Sequence, residues 1–531
     1  MAAQATSAIA RRAFADSRAR NISYALLFAG VAYANVVGYT TAYPTAAGRL
    51  AFARDFGNNA SVRLFYGKPY DLLTVGGYSA WRIGGFMSIF AGIWGVLAAV
   101  RAFRAEEDSG RQELVLAGVL SRRHAYLAAL AAIAAGVLML WLVTFLGLAA
   151  GGLSVGGSAY LALATVSVAP VFAGVGALAS QFAPTRRIAL ELGIGALAAM
   201  LVARVLADTS SSLEWLRWLT PLGWVEELRP FTGARPAVLL LPLALCAGLL
   251  VLAGSIAARR DVGSGLLATR DSAPPRSRGL SSTAGLALRG EIPSLAGWLL
   301  GTGFFALIVG LVSNTISSAD ISGNVQSKLQ KLGGVSIVHP AGYIGLCFLF
   351  FLLSISLFCC SQLAAARHEE AEGTLETLFA LPAGRAPWML GRLLLAAAGA
   401  LALSLTAGLC AWLGGALVNA HVPLSNMLEA AVNCMPIALL FLGLAALAFA
   451  LVPRAGAPLA YGIVACAFVW QLFGGLLNVP HWLLEVSPFA HVGLVPAQPL
   501  RVGAAVLMCA LGAAACALAV RLFSARDLIG N

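Results

Sequence analysis

Two short acidic segments are the residues best suited to recognising another molecule. The first runs from Arg104 to Glu113 (RAEEDSGRQE) and the second from Arg367 to Glu376 (RHEEAEGTLE). Six positions recur at a constant offset of 263 residues: Arg104 with Arg367, Glu106 with Glu369, Glu107 with Glu370, Gly110 with Gly373, Glu113 with Glu376, and Arg122 with Arg385. Clustered carboxylates of this kind can dock on a basic or hydrogen-bonding surface.

The spacing within each segment predicts a helix with one acidic face. Glu106, Gly110 and Glu113 stand at i, i+4 and i+7, which share a helix face, and the second copy repeats the pattern. Because glycine inside a short helix costs about 1 kcal/mol, its recurrence indicates that another surface packs closely there. The alternative is that these are solvated charges at a membrane interface.

Other chemistry is missing from the sequence. A nucleotide-binding P-loop needs G-x-x-x-x-G-K-[ST], and none of the three lysines, Lys68, Lys328 and Lys331, has that context. No His-Glu-x-x-His, nucleophile elbow or clustered metal-ligand set occurs either. We therefore expect neither ATP hydrolysis, nor a catalytic site, nor a metal site on this chain.

The elements that carry the acidic segments are apolar. Hydrophobic residues make up 60% of the chain and charged residues 11%, and the apolar residues fall in runs of about 20, the length that crosses a bilayer as a helix. About twelve spans are predicted, near 21–43, 83–103, 123–150, 159–182, 188–207 and 237–258, and near 295–316, 341–364, 388–418, 427–452, 457–478 and 501–522.

The charge distribution excludes some functions and predicts an orientation. The net charge of +12 is scattered over short connections, so nucleic-acid binding is not predicted. All nine cysteines lie in predicted spans, where a thiol acts as a small apolar group. With a cytoplasmic N-terminus, roughly 23 Lys/Arg lie inside and about 11 outside, in agreement with the positive-inside rule. We expect a multi-pass protein of a bacterial plasma membrane with both termini cytoplasmic.

The repeat extends over the whole chain. Weaker matches follow in the same order: Pro184 with Pro453, Trp215 and Pro221 with Trp482 and Pro488, and Arg260-Asp261 with Arg526-Asp527. The sequence therefore predicts an all-α polytopic membrane protein of two pseudo-symmetric six-helix bundles. The first half covers residues 1–258 with an N-terminal amphipathic segment, 259–294 form a cytoplasmic linker, and 295–531 form the second half. An even number of spans gives both halves the same orientation.

The acidic segments resemble the coupling region of ATP-binding-cassette exporter permeases of the type-2 class. In that family the cytoplasmic loop after the second span carries Glu-x-x-x-Gly-x-x-Glu and then a proline turn, forming a coupling helix. The matching stretches are 106–122 and 369–385. The second copy has the turn (LPAGR, ending at Arg385), whereas the first reads GVLSR to Arg122. The resemblance implies weaker coupling at the first copy.

The fused double-unit form is similar to actinobacterial antibiotic and multidrug exporter permeases, of the type V ABC exporter kind. The resemblance implies two copies of a separate nucleotide-binding ATPase subunit, with ATP and Mg²⁺ on that partner and no cofactor here. It also implies outward movement of amphipathic antibiotics, drugs or lipid-like compounds. The residues implied in coupling are Glu106, Glu107, Gly110, Glu113, Glu369, Glu370, Gly373 and Glu376.

Aromatic residues give two further hypotheses, each with a structural alternative. One hypothesis is that a substrate cavity is lined by Phe86, Phe90 and Trp94 on the second span and by Phe468 and Phe473 on the eleventh. The alternative is ordinary interhelical packing. A second hypothesis is that the repeated pairs Trp215/Trp482 and Pro221/Pro488 form an outer gate. The alternative is an aromatic belt at the membrane interface.

Charged residues within spans are costly and are candidates for function. Glu191, Arg204 and Asp208 qualify, all on the fifth span. Arg204 and Asp208 stand at i, i+4, so a salt bridge that reaches the interface explains them. Glu191 lies near Arg186 and Arg187. A proton-relay role for any of Glu191, Arg204 and Asp208 is the less favoured hypothesis.

Two rival functions remain open. A proton-coupled carrier of the major facilitator kind also has twelve spans and a loop after the second, but that loop is basic, whereas both copies here are rich in glutamate. A membrane-embedded enzyme such as a lipid-linked glycosyltransferase needs paired outer carboxylates, and Asp55, Asp71 and Asp320 are isolated.

Overall fold

The computed structural model describes residues 2–57, 66–117, 121–209, 211–261, 265–267, 283–318, 339–473, 482 and 485–528. These residues form two compact units, Met1–Ala273 and Pro274–Asn531. The predicted division at 258 and 294 stays a prediction, because most of the linker lies outside the described residues. A helix does begin at Thr283, within the predicted linker.

The first unit is built from helices. They are α1 (Ala2–Ala42), α2 (Ala46–Gly57), α3 (Val75–Val100), α4 (Arg111–Leu116), α5 (Arg122–Ala150), α6 (Val155–Val166), α7 (Val168–Phe182), α8 (Arg186–Thr209), α9 (Pro221–Glu227) and α10 (Leu240–Arg259). A π-helical turn, Arg101–Ala105, and a helical turn, Glu106–Asp108, extend α3. Two 3₁₀ segments, Ser211–Leu219 and Pro236–Leu239, flank α9.

The second unit has the same kinds of element. They are α11 (Thr283–Ser318), α12 (Pro340–Ala371), α13 (Thr374–Phe379), α14 (Arg385–Leu417), α15 (Leu424–Asn433), α16 (Met435–Leu451), α17 (Pro453–Phe473) and α18 (Val502–Ala525). A 3₁₀ turn, Pro488–His491, precedes α18.

Eleven helical segments among the described residues are long and apolar enough to cross a membrane. The all-α polytopic class predicted from composition is therefore confirmed. The first candidate span, Thr6–Ala42, begins earlier than predicted, so the N-terminal arginines belong to the same helix. The predicted span 457–478 is described only as far as Phe473, in α17.

The fourth and tenth predicted spans are each broken in the same place. The break falls between α6 and α7 in one unit and between α15 and α16 in the other. Pro170 and Pro436 follow the breaks, and a proline has no N–H to continue the helical ladder. Sequence hydropathy does not register such a break, because both fragments remain apolar.

The two units pair their helices in the same way. In the first, α1 packs along α5 and α7 packs along α10; in the second, α11 packs along α14 and α16 packs along α18. The second unit has one continuous buried core, which includes Phe351, Phe358, Phe441 and Phe449. The first unit has several smaller ones, including an aromatic cluster around Tyr39 and Tyr78. The acidic loops follow α3 and α12 at corresponding ends of the units.

Candidate functional sites: the acidic loops and a neighbouring cavity

The glycine of each acidic loop reverses the chain. Gly110 has φ of +71° and Gly373 has φ of +74°, a left-handed conformation in which other residues are strained. Each glycine precedes a six-residue helix, α4 or α13. The prediction of one continuous helix with a shared acidic face is therefore wrong. A Cβ on either glycine would meet no atom within 4 Å, so the backbone conformation requires glycine and close packing within the unit does not.

The second glutamate of each loop is buried inside its own unit. Glu107 lies 3.0 Å from the guanidinium of Arg104 and also pairs with Arg260 at the end of α10. Glu370, whose side chain is fully buried, accepts two hydrogen bonds from Arg526 at 2.6 and 2.9 Å. These ion pairs hold both carboxylates within their own unit, and the predicted role of Glu107 and Glu370 in coupling to a partner stays a prediction.

A second arginine completes the arrangement in each unit. Arg122 at the start of α5 donates to the carbonyl oxygen of Arg260 at 2.7 Å, and Arg385 at the start of α14 donates to that of Arg526 at 2.6 Å. Each set ties the loop, the following helix and the last helix together, and we call it the loop lock. The sequence signal for it was present in the recurrence of Arg260-Asp261 as Arg526-Asp527, which sequence reasoning did not connect with the loops.

The remaining glutamates of the loops are more accessible. Glu113 and Glu376 are exposed on α4 and α13. The Glu106 side chain is 40% exposed and lies 3.7 Å from Arg111. An exposed pair of this kind contributes about 0–1 kcal/mol. These carboxylates are free to meet another surface, and Leu375 anchors α13 by its burial.

Glu369 is held differently from Glu106. It pairs with Arg392 on α14, and the same guanidinium lies 2.9 Å from Glu291 on α11. This ion chain joins α11, α12 and α14, the counterparts of α1, α3 and α5. At the offset of 263 residues, Ala129 occupies the position of Arg392. The first unit therefore cannot form this chain.

The corresponding place in the first unit is a cavity of about 810 Å³. Ligand sites typically have volumes of about 300–1,000 Å³. Its walls are the N-terminal part of α1, the end of α3 with its acidic loop, and the start of α5. Trp94, Phe103 and Tyr126 supply aromatic surface, and Ala129 is part of the wall. The cavity thus adjoins the first acidic loop.

The aromatic stripe predicted to line a cavity is divided. Trp94 lines the cavity just described. Phe86 and Phe90 lie on the exposed face of α3 within the first unit, and their rings are tilted against each other with centroids 5.0 Å apart. Phe468 is buried against Phe350 and Phe489 in the second unit. Phe473 is in α17, but its side chain lies outside the described residues.

The repeated tryptophans have similar exposure in both units. Trp215 and Trp482 are exposed. Pro221 is the first residue of α9 and is buried, and Pro488 is the first residue of a 3₁₀ turn. The outer gate and the aromatic belt both stay predictions.

A buried ion cluster surrounds the charges predicted within the fifth span. Arg204 lies 3.1 Å from Asp208 and 3.0 Å from Glu226, and Arg217 lies 2.9 Å from Asp208. Arg204 also donates to the carbonyl of Gly85 on α3. The salt bridge is confirmed. Both partners are fully buried within the unit, so neither side chain reaches solvent, and the position of the pair at the membrane interface stays a prediction.

The cluster fixes the segment that follows α8. Glu226 on α9 lies outside the candidate spans, and burial together with the nearby Asp208 raises its pKa well above the usual range. Its neighbour Glu227 accepts from Tyr70 at 2.8 Å and pairs with Arg229 and Arg235. Glu191, in contrast, is exposed and pairs with Arg187 at 2.9 Å.

These observations define a multi-pass, all-α membrane protein with two similarly locked acidic loops. The profile of a known family, the C-terminal domain of the multidrug efflux system permease Rv1217c, matches residues 72–259 and 280–524. The multidrug efflux system permease protein Rv1217c of Mycobacterium tuberculosis (strain ATCC 25618 / H37Rv) is 30% identical over 512 residues, which cover 95% of this chain and 91% of that protein.

The chain therefore belongs to the Rv1217c family of multidrug efflux permeases. The predicted resemblance to actinobacterial multidrug exporter permeases is confirmed by this match. The matched residues include both acidic loops, with Glu107 and Arg122 in one unit and Glu370 and Arg385 in the other, and they end just before the lock arginines Arg260 and Arg526.

Proposed function

We propose that the chain is the transmembrane permease of an ATP-binding-cassette exporter, driven by two copies of a separate ATPase subunit that bind ATP and Mg²⁺. The two units would act as pseudo-symmetric six-helix bundles in a bacterial plasma membrane, with both termini cytoplasmic. Amphipathic antibiotics, drugs or lipid-like compounds would be the cargo, which would contribute to antibiotic resistance. The relative's printed function, multidrug efflux, supports the cargo class.

The paired loop locks are the observation that carries this proposal. A partner dimer needs two equivalent contacts, and each unit presents one short helix with an exposed glutamate, Glu113 or Glu376. Each helix is tied through a buried glutamate and arginine to the last helix of its unit. Movement of the loop would therefore be transmitted to the spans rather than absorbed locally.

The distribution of chemistry supports an external motor. The 531-residue sequence has no P-loop, and no group of three or more metal-binding side chains occurs among the described residues. We assign ATP hydrolysis to the partner and the substrate pathway to this chain. Closure of the ATPase dimer would push on both loops and switch the access of the pathway from inward to outward.

Reversing the charge of Glu113 and Glu376 tests the docking role. The double variant Glu113→Lys/Glu376→Lys should lose most ATP-driven export, at least tenfold, and should no longer retain the ATPase subunit during purification, because both exposed carboxylates meet the partner. Both side chains are exposed, so the permease itself should keep its melting temperature. Export into inverted vesicles and co-purification are the measurements.

Glu191→Lys is the matched control, since it reverses another exposed glutamate outside the loops. Its export should equal that of the unmodified protein. Normal export and normal ATPase retention by the double variant would show that the loops do not couple. Export that needs no ATPase subunit and stops when the proton gradient is collapsed would favour the proton-coupled carrier instead.

A further inference from the structure

The cavity of the first unit carries an excess of positive charge. Among the described residues, seven arginines and three carboxylates line it. Glu107 is already paired with Arg104 and Arg260, and Glu106 faces Arg111. The carboxylates of the acidic loop are therefore engaged by other arginines of the same region.

Four lining arginines have no ion-pair partner in the described part of the chain. Arg12 and Arg20 come from α1, Arg101 from the π-helical turn after α3, and Arg186 from the start of α8. Three separate elements thus direct positive charge at one space. Like charges gathered around one space repel one another, so an anion held between them would be favoured. Guanidinium groups suit carboxylate, sulfonate or phosphate oxygens.

Apolar residues form a second part of the cavity wall, beside the polar side chains of Ser17, Asn21, Gln112 and Gln181. Trp94 and Leu97 line it from α3, and Tyr126 and Ile133 line it from α5. The Tyr126 ring stacks on Phe103 at 5.0 Å, which makes a continuous aromatic surface. A molecule that fills this space needs an acidic head and an apolar body. A volume of about 810 Å³ accommodates a compound of drug size.

The second unit shows what satisfies an arginine at the equivalent place. There Arg392 is neutralised by Glu291 and Glu369, both from its own unit. In the first unit Ala129 replaces Arg392 and leaves the space open. The four arginines stand around it with one further carboxylate, Asp16, which lies on α1 between Arg12 and Arg20. The duplication has thus kept an ionic site in one copy and opened it in the other.

We propose that this cavity binds an acidic amphipathic molecule, with its anionic head on Arg101 and Arg186 and its apolar body along Trp94 and Tyr126. Such molecules would be a cargo class of the permease. The cargo assignment rests on the exporter function proposed above, whereas the binding itself does not require it.

Photolabelling can place the ligand. The full-length permease, in phosphatidylcholine nanodiscs without nucleotide, would be irradiated with hexadecanoic acid that carries a diazirine, and the labelled peptides identified by mass spectrometry. We expect labels on α1, on α3 near Trp94 and on α5 near Tyr126. The matched diazirine hexadecanol should label these peptides about tenfold less at the same concentration. Equal labelling by acid and alcohol would overturn the proposal.

Substitutions test separately the contacts of the anionic head group and those of the apolar body of the ligand. Arg101→Gln/Arg186→Gln should lower labelling by the acid about tenfold and leave labelling by the alcohol unchanged. Ala129→Trp should fill the cavity and lower both. Arg521→Gln, which removes an exposed arginine from α18, is the control and should bind as the unmodified protein does. Unchanged acid labelling in a folded double arginine variant would refute the assigned head-group site.

Two additional arms separate this inference from the exporter function. Replacing part of the phosphatidylcholine by phosphatidylglycerol tests whether a lipid head group takes the site; displacement of the acid probe by that lipid would overturn the cargo assignment. ATP-driven transport of the acid probe, in vesicles that contain the permease and the ATPase subunit, would support the cargo assignment. Binding without any ATP-driven transport would refute the exporter function alone, whereas ATP-driven export of neutral compounds without binding of the acid would refute this inference alone.

Discussion

The two acidic loops share their internal lock and differ in what lies beside it. In both units a buried glutamate binds an arginine at the end of the last helix, and a second arginine caps the carbonyl of that arginine. Beside the lock, the second unit has the ion chain Glu291, Arg392 and Glu369, whereas the first has a cavity. The shared part fixes each loop to the last helix of its unit, and the part that differs is the proposed ligand site.

A second difference lies at the end of the fifth span and in the segment that follows it. The first unit buries an ion cluster of Arg204, Asp208, Arg217 and Glu226. At the offset of 267 residues that relates Trp215 to Trp482, the second unit has Gln471, Gly475, Leu484 and Gly493. The first unit therefore has buried charged residues at four positions where the sequence of the second unit has uncharged ones.

Breaking a loop lock should have the largest effect. Arg526→Ala leaves the buried Glu370 without its strongest partner, and removing one member of a buried pair costs about 3–5 kcal/mol. Arg260→Ala should also destabilise the first unit, but by less, because Glu107 keeps its ion pair with Arg104 at 3.0 Å. Thermal unfolding of the purified permease measures the loss.

Arg521→Ala removes an arginine from the exposed face of the same helix, α18, and serves as the control. Its effect should stay within about 0.5 kcal/mol. If Arg526→Ala were as stable as this control, the lock would not hold the loop to the last helix, and the shared mechanical element would be lost from the comparison.

The buried cluster should make the first unit sensitive to pH. Because burial raises the pKa of Glu226, folding favours its protonated form, and the associated stability is present below the usual pKa of 4.5 and is lost as pH rises toward the folded value. Glu226→Gln keeps a neutral group of the same shape. We expect its melting temperature to match that of the unmodified protein near pH 5 and to exceed it by a few degrees at higher pH.

Arg204, Arg217 and Asp208 all face Glu226 and contribute to the pH dependence of both proteins. The difference in melting temperature between Glu226→Gln and the unmodified protein therefore isolates the titration of Glu226. Glu214→Gln, which changes an exposed glutamate of the same region, should produce no pH-dependent difference. A loss of stability in Glu226→Gln at every pH would show that the carboxylate is ionised throughout.

The loop glycines should give the smallest effect. Gly373→Val places a β-branched residue at positive φ and should cost about 1–2 kcal/mol. Gly373→Asn should be tolerated because asparagine adopts this conformation readily, and Gly110 should behave in the same way in the first unit. Melting temperatures of the four variants test the equivalence of the two turns.

Gly462 in the interior of α17 provides a control with the opposite expected sign, because a Cβ added there would meet no atom within 4 Å. Gly462→Ala should stabilise the protein by about 0.5–1 kcal/mol, since alanine loses less backbone entropy in a helix. Equal tolerance of valine and asparagine at Gly373 would mean that the turn is not fixed in the left-handed conformation.

The sequence predicted the spans well and the loops only in part. Long apolar runs specify helices by composition alone, and the repeat identified both acidic segments. The helical spacing failed at Gly110 and Gly373, because glycine permits a reversal that a periodicity argument cannot detect. The burial of Glu107 also escaped detection, since its partner Arg260 lies 153 residues away.

Hydropathy and internal repetition by themselves determined an all-α, multi-pass membrane protein with two related acidic loops, because those properties depend on local composition and on position along the chain. Only the tertiary structure decided which glutamates are locked inside a unit and which face outward, since that depends on contacts between distant helices. It also decided that the first unit holds a cavity, because α1, α3 and α5 converge around the small side chain of Ala129 without filling the space beside it.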